Sequence, residues 1–174
     1  AVWCHEPGMN QPNDLAIAPN QSLYASDPNW KENTGNIWHI DLHGKARNVA
    51  HGMGTTNGIE VSPDGKFLYV NESNQRNVWS FTIQSDGSLA HKTLIRQFPD
   101  FGFDGMRCDV DGNLYITRHG KGTVIKMTPQ GKVLQEVDVF SDQVILIANG
   151  MIVAEGQIKN VREEIHEHPS QYLL

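Results

Sequence analysis

Asn13, Asn57 and Asp104 head three similar stretches of this chain, 44 and 47 positions apart. One carboxylate and two amide carbonyls, if brought together, make an oxygen-rich site suited to a hard divalent cation such as calcium. No convergent Cys and His set accompanies them, which argues against structural zinc. The alternative is that Asn and Asp merely open turns ahead of strands, a common use of both residues. The repeat by itself supports the two readings equally.

The elements that would position these residues follow from the repeat. The stretches are PNDLAIAPNQSLYASDP (Pro12 to Pro28), TNGIEVSPDGKFLYVNES (Thr56 to Ser73) and FDGMRCDVDGNLYITRHG (Phe103 to Gly120). Each runs from a polar residue through an aliphatic position and a turn to Leu-Tyr, and each is followed by two more strand-like pieces. Turns are marked by Ser62-Pro63-Asp64-Gly65, Ser85-Asp86-Gly87, Asp111-Gly112 and Pro129-Gln130-Gly131. Four short antiparallel strands per roughly 45 residues, in tandem, are the mark of β-propeller blades. The expected fold is therefore all-β, with three to four blades of four antiparallel strands each. The innermost strands of such blades line an axial channel, so the three repeated residues would meet at one mouth of it. Blades stacked on neighbours should carry apolar residues on both faces, as Ile37, Trp38 and Ile40 do, and Val78, Trp79, Phe81 and Ile83.

Beyond about residue 140 the rhythm changes. Val144–Ile147 and Met151–Ala154 are expected to form a hairpin around Ala148-Asn149-Gly150. Arg162–Glu164 and His166–His168 read as a short solvated helix or frayed end stopped by Pro169. The chain is thus expected to be a single domain over residues 1–174, with recognisable repeats over 10–140 and a divergent segment over 141–174.

Composition removes several function classes. Lys and Arg total 14 against 20 Asp and Glu, a formal charge of -6, and the basic residues form no stripe, so nucleic acid is not an expected partner. No apolar run reaches the length of a membrane span. Cys4 and Cys108 match neither a redox pair nor a zinc framework; they leave the compartment open, leaning to the cytoplasm. Gly52–Gly58 lacks dinucleotide or phosphate-loop spacing, and neither a nucleophile elbow nor a His-Glu-x-x-His motif occurs.

Over about residues 10 to 140 the three stretches resemble the gluconolactonase and regucalcin (senescence marker protein) family of six-bladed propellers with one divalent metal in the channel. The resemblance implies that Asn57 and Asp104 are metal ligands and that Asn13 and Asn57 face the substrate. It also implies metal-dependent hydrolysis of a sugar lactone, with Asp104 orienting or deprotonating a water, and calcium as the cofactor ahead of zinc or magnesium. The family's Glu ligand from an early strand has no counterpart here: Glu6-Pro7-Gly8 lies only seven residues before Asn13. The alternatives are a non-catalytic propeller fragment or binding module, or an arylesterase or phosphotriesterase of the same fold.

Lesser candidates are Asp14, as a loop cap or a support for Asn13; Asp27 and Glu72, as strand terminators; Arg107 and Arg118, reaching substrate or lying on the surface; and His119, expected outside the cavity more than within it. Six blades would need roughly 270 residues or more. The chain's 174 residues therefore read as a partial or truncated member. Its open faces would be covered by self-association or by a missing segment.

Overall fold

The computed structural model describes residues 2–139, 143–148 and 151–157. Twelve strands form three four-stranded antiparallel meanders in chain order. The first comprises β1 (Leu15–Ile17), β2 (Leu23–Asn29), β3 (Thr34–Ile40) and β4 (Ala46–Met53). The second holds β5 (Thr56–Val61), β6 (Phe67–Glu72), β7 (Asn77–Ile83) and β8 (Leu89–Gln97). The third holds β9 (Met106–Cys108), β10 (Leu114–Arg118), β11 (Thr123–Met127) and β12 (Val133–Asp138). The fold is all-β, and its sheets are the blades read from the repeat.

A separate hairpin pairs β13 (Gln143–Ala148) with β14 (Met151–Gln157), and Ala148 faces Met151. This is the hairpin expected from the Asn-Gly signal, although Asn149 and Gly150 lie outside the described residues. The expected helix near Pro169 also lies outside them.

The turns form where local chemistry favours them. In the β5–β6 turn Gly65 adopts φ 71°, a conformation that a Cβ opposes. The Asp64 carboxylate accepts from Ser62 Oγ at 2.7 Å and from Lys66 N at 3.1 Å. Those two bonds, with the Lys66 charge, hold its pKa at about 2.

Stacking of the sheets makes the core. β5 touches β1, β2 and β3 on one side and β9 on the other, so the second sheet is sandwiched. Ala16, Tyr24, Ile37, Ile59, Leu68 and Phe81 fill the layer between the first and second sheets. Val78, Phe98, Phe103, Met106, Ile116 and Ile125 fill that between the second and third. On the far face of the first sheet Ala25, Trp38 and Ile40 pack against Cys4 and Met9 of the N-terminal segment. Neighbours in sequence thus serve opposite faces: Ile37 and Trp38 enter different cores, as do Val78 and Trp79.

Candidate functional site

The same irregularity occurs at the entry to each innermost strand. Asn13 N donates to Ser26 O at 2.9 Å while Ser26 N donates to Asp14 O at 3.0 Å, so Asn13 and Asp14 together oppose one residue. Asp104 N donates to Thr117 O and Thr117 N to Gly105 O, both at 3.1 Å, repeating the arrangement in the third sheet. In the second sheet the pairing passes from Thr56↔Glu72 to Ile59↔Val70, leaving Asn57 and Gly58 opposite Asn71. Two residues against one is a β-bulge, which bends the strand and re-aims a side chain. Asn13, Asn57 and Asp104 are the leading residues of the three bulges.

The second and third bulges are locked together. Gly58 N donates to Asp104 O at 3.1 Å, and Asn71 Nδ2 donates to the same carbonyl at 2.8 Å. A Cβ on Gly58 would lie 2.5 Å from Asn71 Nδ2 and 2.6 Å from Asp104 O, so only glycine permits this approach. Ser73 Oγ donates to Phe103 O at 2.6 Å. Asn57 Nδ2 donates to Ser73 Oγ at 3.0 Å and reaches Phe103 O at 3.4 Å. Because a carbonyl only accepts, these contacts orient the Asn57 amide and turn its oxygen the other way. That oxygen, Oδ1, is buried and has no hydrogen-bond partner among the described residues, in a residue only 4% exposed. An unsatisfied buried acceptor costs about 1–3 kcal/mol, which a cation or donor group would offset.

Buried charges hold the loops that lead into the bulges. Asp27 accepts from Asn10 N at 2.9 Å, Gln11 N at 2.6 Å and Trp38 Nε1 at 3.0 Å. Glu72, at the same register in the second sheet, accepts from Gly54 N at 2.7 Å and Asn77 Nδ2 at 2.8 Å. The third sheet uses the opposite sign: Arg118, 3% exposed, donates to Asp100 O and, at 2.8 Å, to Asp100 Oδ1. This hydrogen bond holds the Asp100 carboxyl below its ordinary range. Arg118 therefore reaches neither substrate nor surface, the two places expected for it, because Phe98 and Phe103 cover its guanidinium.

Arg107, also a candidate for substrate contact, instead pairs with Asp14 at 3.1 Å and lies 3.8 Å from Glu60. It joins residues of all three innermost entries. Asp14 also accepts from Ile59 N at 3.4 Å, so it ties the first sheet to the second and third.

The bulges and the turns at the same end of the sheets border an open cavity of about 610 Å³. Asn13, Asn57 and Asp104 all line it, with Asn13 and Asp104 exposed and Asn57 buried. Trp30 from the β2–β3 turn, Arg76 from the β6–β7 turn and His119 from the β10–β11 turn share the lining. His119 is thus inside the cavity, against the weightier expectation. Trp30, Arg76 and Phe101 carried no sequence signal, since each sits in a loop outside the repeated motif.

Oxygen donors, not a His or Cys cluster, characterise this cavity. Among the described residues no group of three His, Cys, Asp or Glu converges. The Asn57 carbonyl oxygen and the Asp104 carboxylate suit a hard cation. Glu6 adds nothing: its carboxylate accepts from Gly8 N at 2.9 Å, and it is not part of the lining. Burial pushes the Cys108 thiol up to about 12, which excludes a thiolate nucleophile there at neutral pH.

Stacked four-stranded meanders with bulged innermost strands around one polar cavity define part of a β-propeller with an axial pocket. Residues 2–151 match the SMP-30/Gluconolactonase/LRE-like region, and the chain belongs to that family. It is 29% identical over 147 residues to a gluconolactonase of Zymomonas mobilis, covering 72% of this chain and 41% of that protein. A solved gluconolactonase of Xanthomonas campestris superposes with a TM-score of 0.66 at 22% identity, covering 80% of this chain and 51% of the other. The calcium-binding protein regucalcin of Agrobacterium tumefaciens also gives 0.66, at 23% identity, with 74% and 45% covered. The chain spans about half the length of the relatives it matches.

Proposed function

We propose that this chain provides the channel site of a metal-dependent hydrolase acting on a sugar lactone. The observation that carries the reading is the orphaned Asn57 Oδ1, buried in the same lining as the Asp104 carboxylate. Family membership and the gluconolactonases among the relatives support the substrate class. Asn57 and Asp104 would hold a divalent cation, calcium before zinc or magnesium. When bound, such an ion supplies a Lewis acid for a carbonyl or lowers the pKa of a water.

The chain's own residues do the rest. The Asp104 carboxylate accepts a hydrogen bond from the attacking water, orients it and can take its proton. The Asn13 amide, at the exposed side of the cavity, donates to the lactone oxygens and sets the ring's position. The Asn57 amide N–H groups are committed to Ser73 and Phe103, so this residue offers the ion only its oxygen.

Calorimetry with calcium alongside hydrolysis of gluconolactone and an aryl ester tests the reading. Calcium-dependent lactone turnover is the expected result, and Asp104→Ala should lower it on the order of 10²-fold or more. Near-normal hydrolysis by that variant with calcium present would remove Asp104 from the site. The lining contains no Glu among the described residues, which favours a second reading: a module that binds sugars without turning them over. Gluconate binding without lactone turnover would favour that second reading.

A further inference from the structure

The cavity holds one cation that the hydrolytic reading leaves unused. Four other arginines have polar partners: Arg47 bonds Asp86 O, Arg96 bonds Gly131 O, Arg107 bonds Asp14 and Arg118 bonds Asp100. Among the described residues the Arg76 guanidinium has none, and its Nε is buried without a partner. Its main chain is anchored. Arg76 N donates to Glu72 O and Arg76 O accepts from Phe98 N, both at 2.9 Å, with φ 60° in the β6–β7 turn. These bonds hold the backbone, and a half-buried guanidinium that lines the cavity with no acceptor among the described residues suits an oxyanion, which it can bind through paired N–H groups.

The rest of the lining shows what carries that oxyanion. Trp30 and Phe101, 37% and 46% exposed, add aromatic surface to the lining, which suits the C–H face of a carbon chain. Phe101 is held at φ 48°, a conformation that non-glycine residues avoid and that tends to persist at ligand clamps. Among the described lining residues Asp104 is the formal anion and Arg76 the permanent cation. A ligand that carries both hydroxyl groups and an anionic group can therefore meet oxygen acceptors and a guanidinium within one cavity.

We infer that Arg76 is a specificity residue that receives the carboxylate, sulfonate or phosphate of an anionic sugar derivative, so that an anionic lactone is preferred over its neutral counterpart. The lactone part rests on the proposed function; the oxyanion subsite does not.

Binding is measured first on the full chain with a chelator present, using sorbitol, gluconate and sorbitol 6-phosphate, which differ at one end of a common carbon chain. The anionic probes should bind about tenfold tighter or more than sorbitol, the size of one charge-assisted contact. Their ranking separates carboxylate from phosphate. Arg76→Gln should erase the advantage and Arg76→Lys should keep part of it, with chemical denaturation confirming that both variants fold. With calcium, the ratio of kcat/KM for 6-phosphogluconolactone over gluconolactone should fall about tenfold or more in Arg76→Gln. Equal binding of the three probes, or an advantage that survives Arg76→Gln, overturns the inference. Arg76-dependent anion binding without turnover of either lactone would support the subsite and overturn the hydrolase reading.

Discussion

Asn57 and Asp104 hold the same place in adjoining sheets, yet the first is buried and the second is exposed. The difference comes from their neighbours. β5 has β1, β2 and β3 on one side and β9 on the other. Its bulge is closed over, and Asn57 Oδ1 loses access to water. The bulge ahead of β9 is covered from the second sheet through Gly58 and Asn71, while its Asp104 carboxylate faces the cavity. Equal register thus produces unequal electrostatics: one site oxygen is desolvated, and the other stays hydrated.

The two bulge glycines break this comparison most strongly. A Cβ on Gly58 meets backbone and amide atoms within 2.7 Å, whereas one on Gly105 meets nothing among the described residues within 4 Å. Gly58→Ala should cost about 3 kcal/mol, the upper end for overpacking. Gly105→Ala should stay within about 0.5 kcal/mol. Urea denaturation compares the two, and equal losses would mean that the β5–β9 contact does not differ from an open bulge.

A smaller effect is expected in the cation affinity. If desolvation of Asn57 prepares its oxygen, Asn57→Ala should weaken calcium binding by about tenfold, or 1.4 kcal/mol, more than Asn13→Ala does. Calorimetry on both variants gives the ratio; a larger loss in Asn13→Ala would reverse the ranking of the two amides.

The mildest test lies in the layer between the first two sheets. His39 packs beside Tyr24, its Nε2 is buried without a partner among the described residues, and burial, with help from the Arg47 charge, lowers its pKa from 6.5. The folded state therefore disfavours the imidazolium, and the unfolded chain takes up the proton first as pH falls. Stability should decline below about pH 6.5 and level off below the lowered folded value. Thermal melts from pH 7.5 downward should show this decline, and His39→Gln should flatten it. An identical pH profile in the variant would assign the slope to other groups.

Much of the fold was legible because the repeat combines strand-forming residues with turn residues that have few other uses. Ser62-Pro63-Asp64-Gly65 announces its turn locally, and the Leu-Tyr endings mark β2, β6 and β10. The three candidate residues were legible for the same reason, since equal register places them at equivalent bulges. Arg118 was not. Its sequence neighbours resemble those of a surface arginine, and only Phe98 and Phe103 packing over it reveal a buried clamp on Asp100. His119, Trp30 and Arg76 share a cavity because three separate turns end at one level, a relation between sheets that no local pattern encodes.

The sequence by itself determined the unit: four strands, a polar residue at the entry to the first, and the periodicity that repeats it. These depend on backbone preferences and on alternation within a few residues. Tertiary structure decided which amide lost its water, which arginine was covered and which was left unpaired. Burial and hydrogen-bond partnership are set by what the adjoining sheet brings into contact, and those residues lie tens of positions away in the chain.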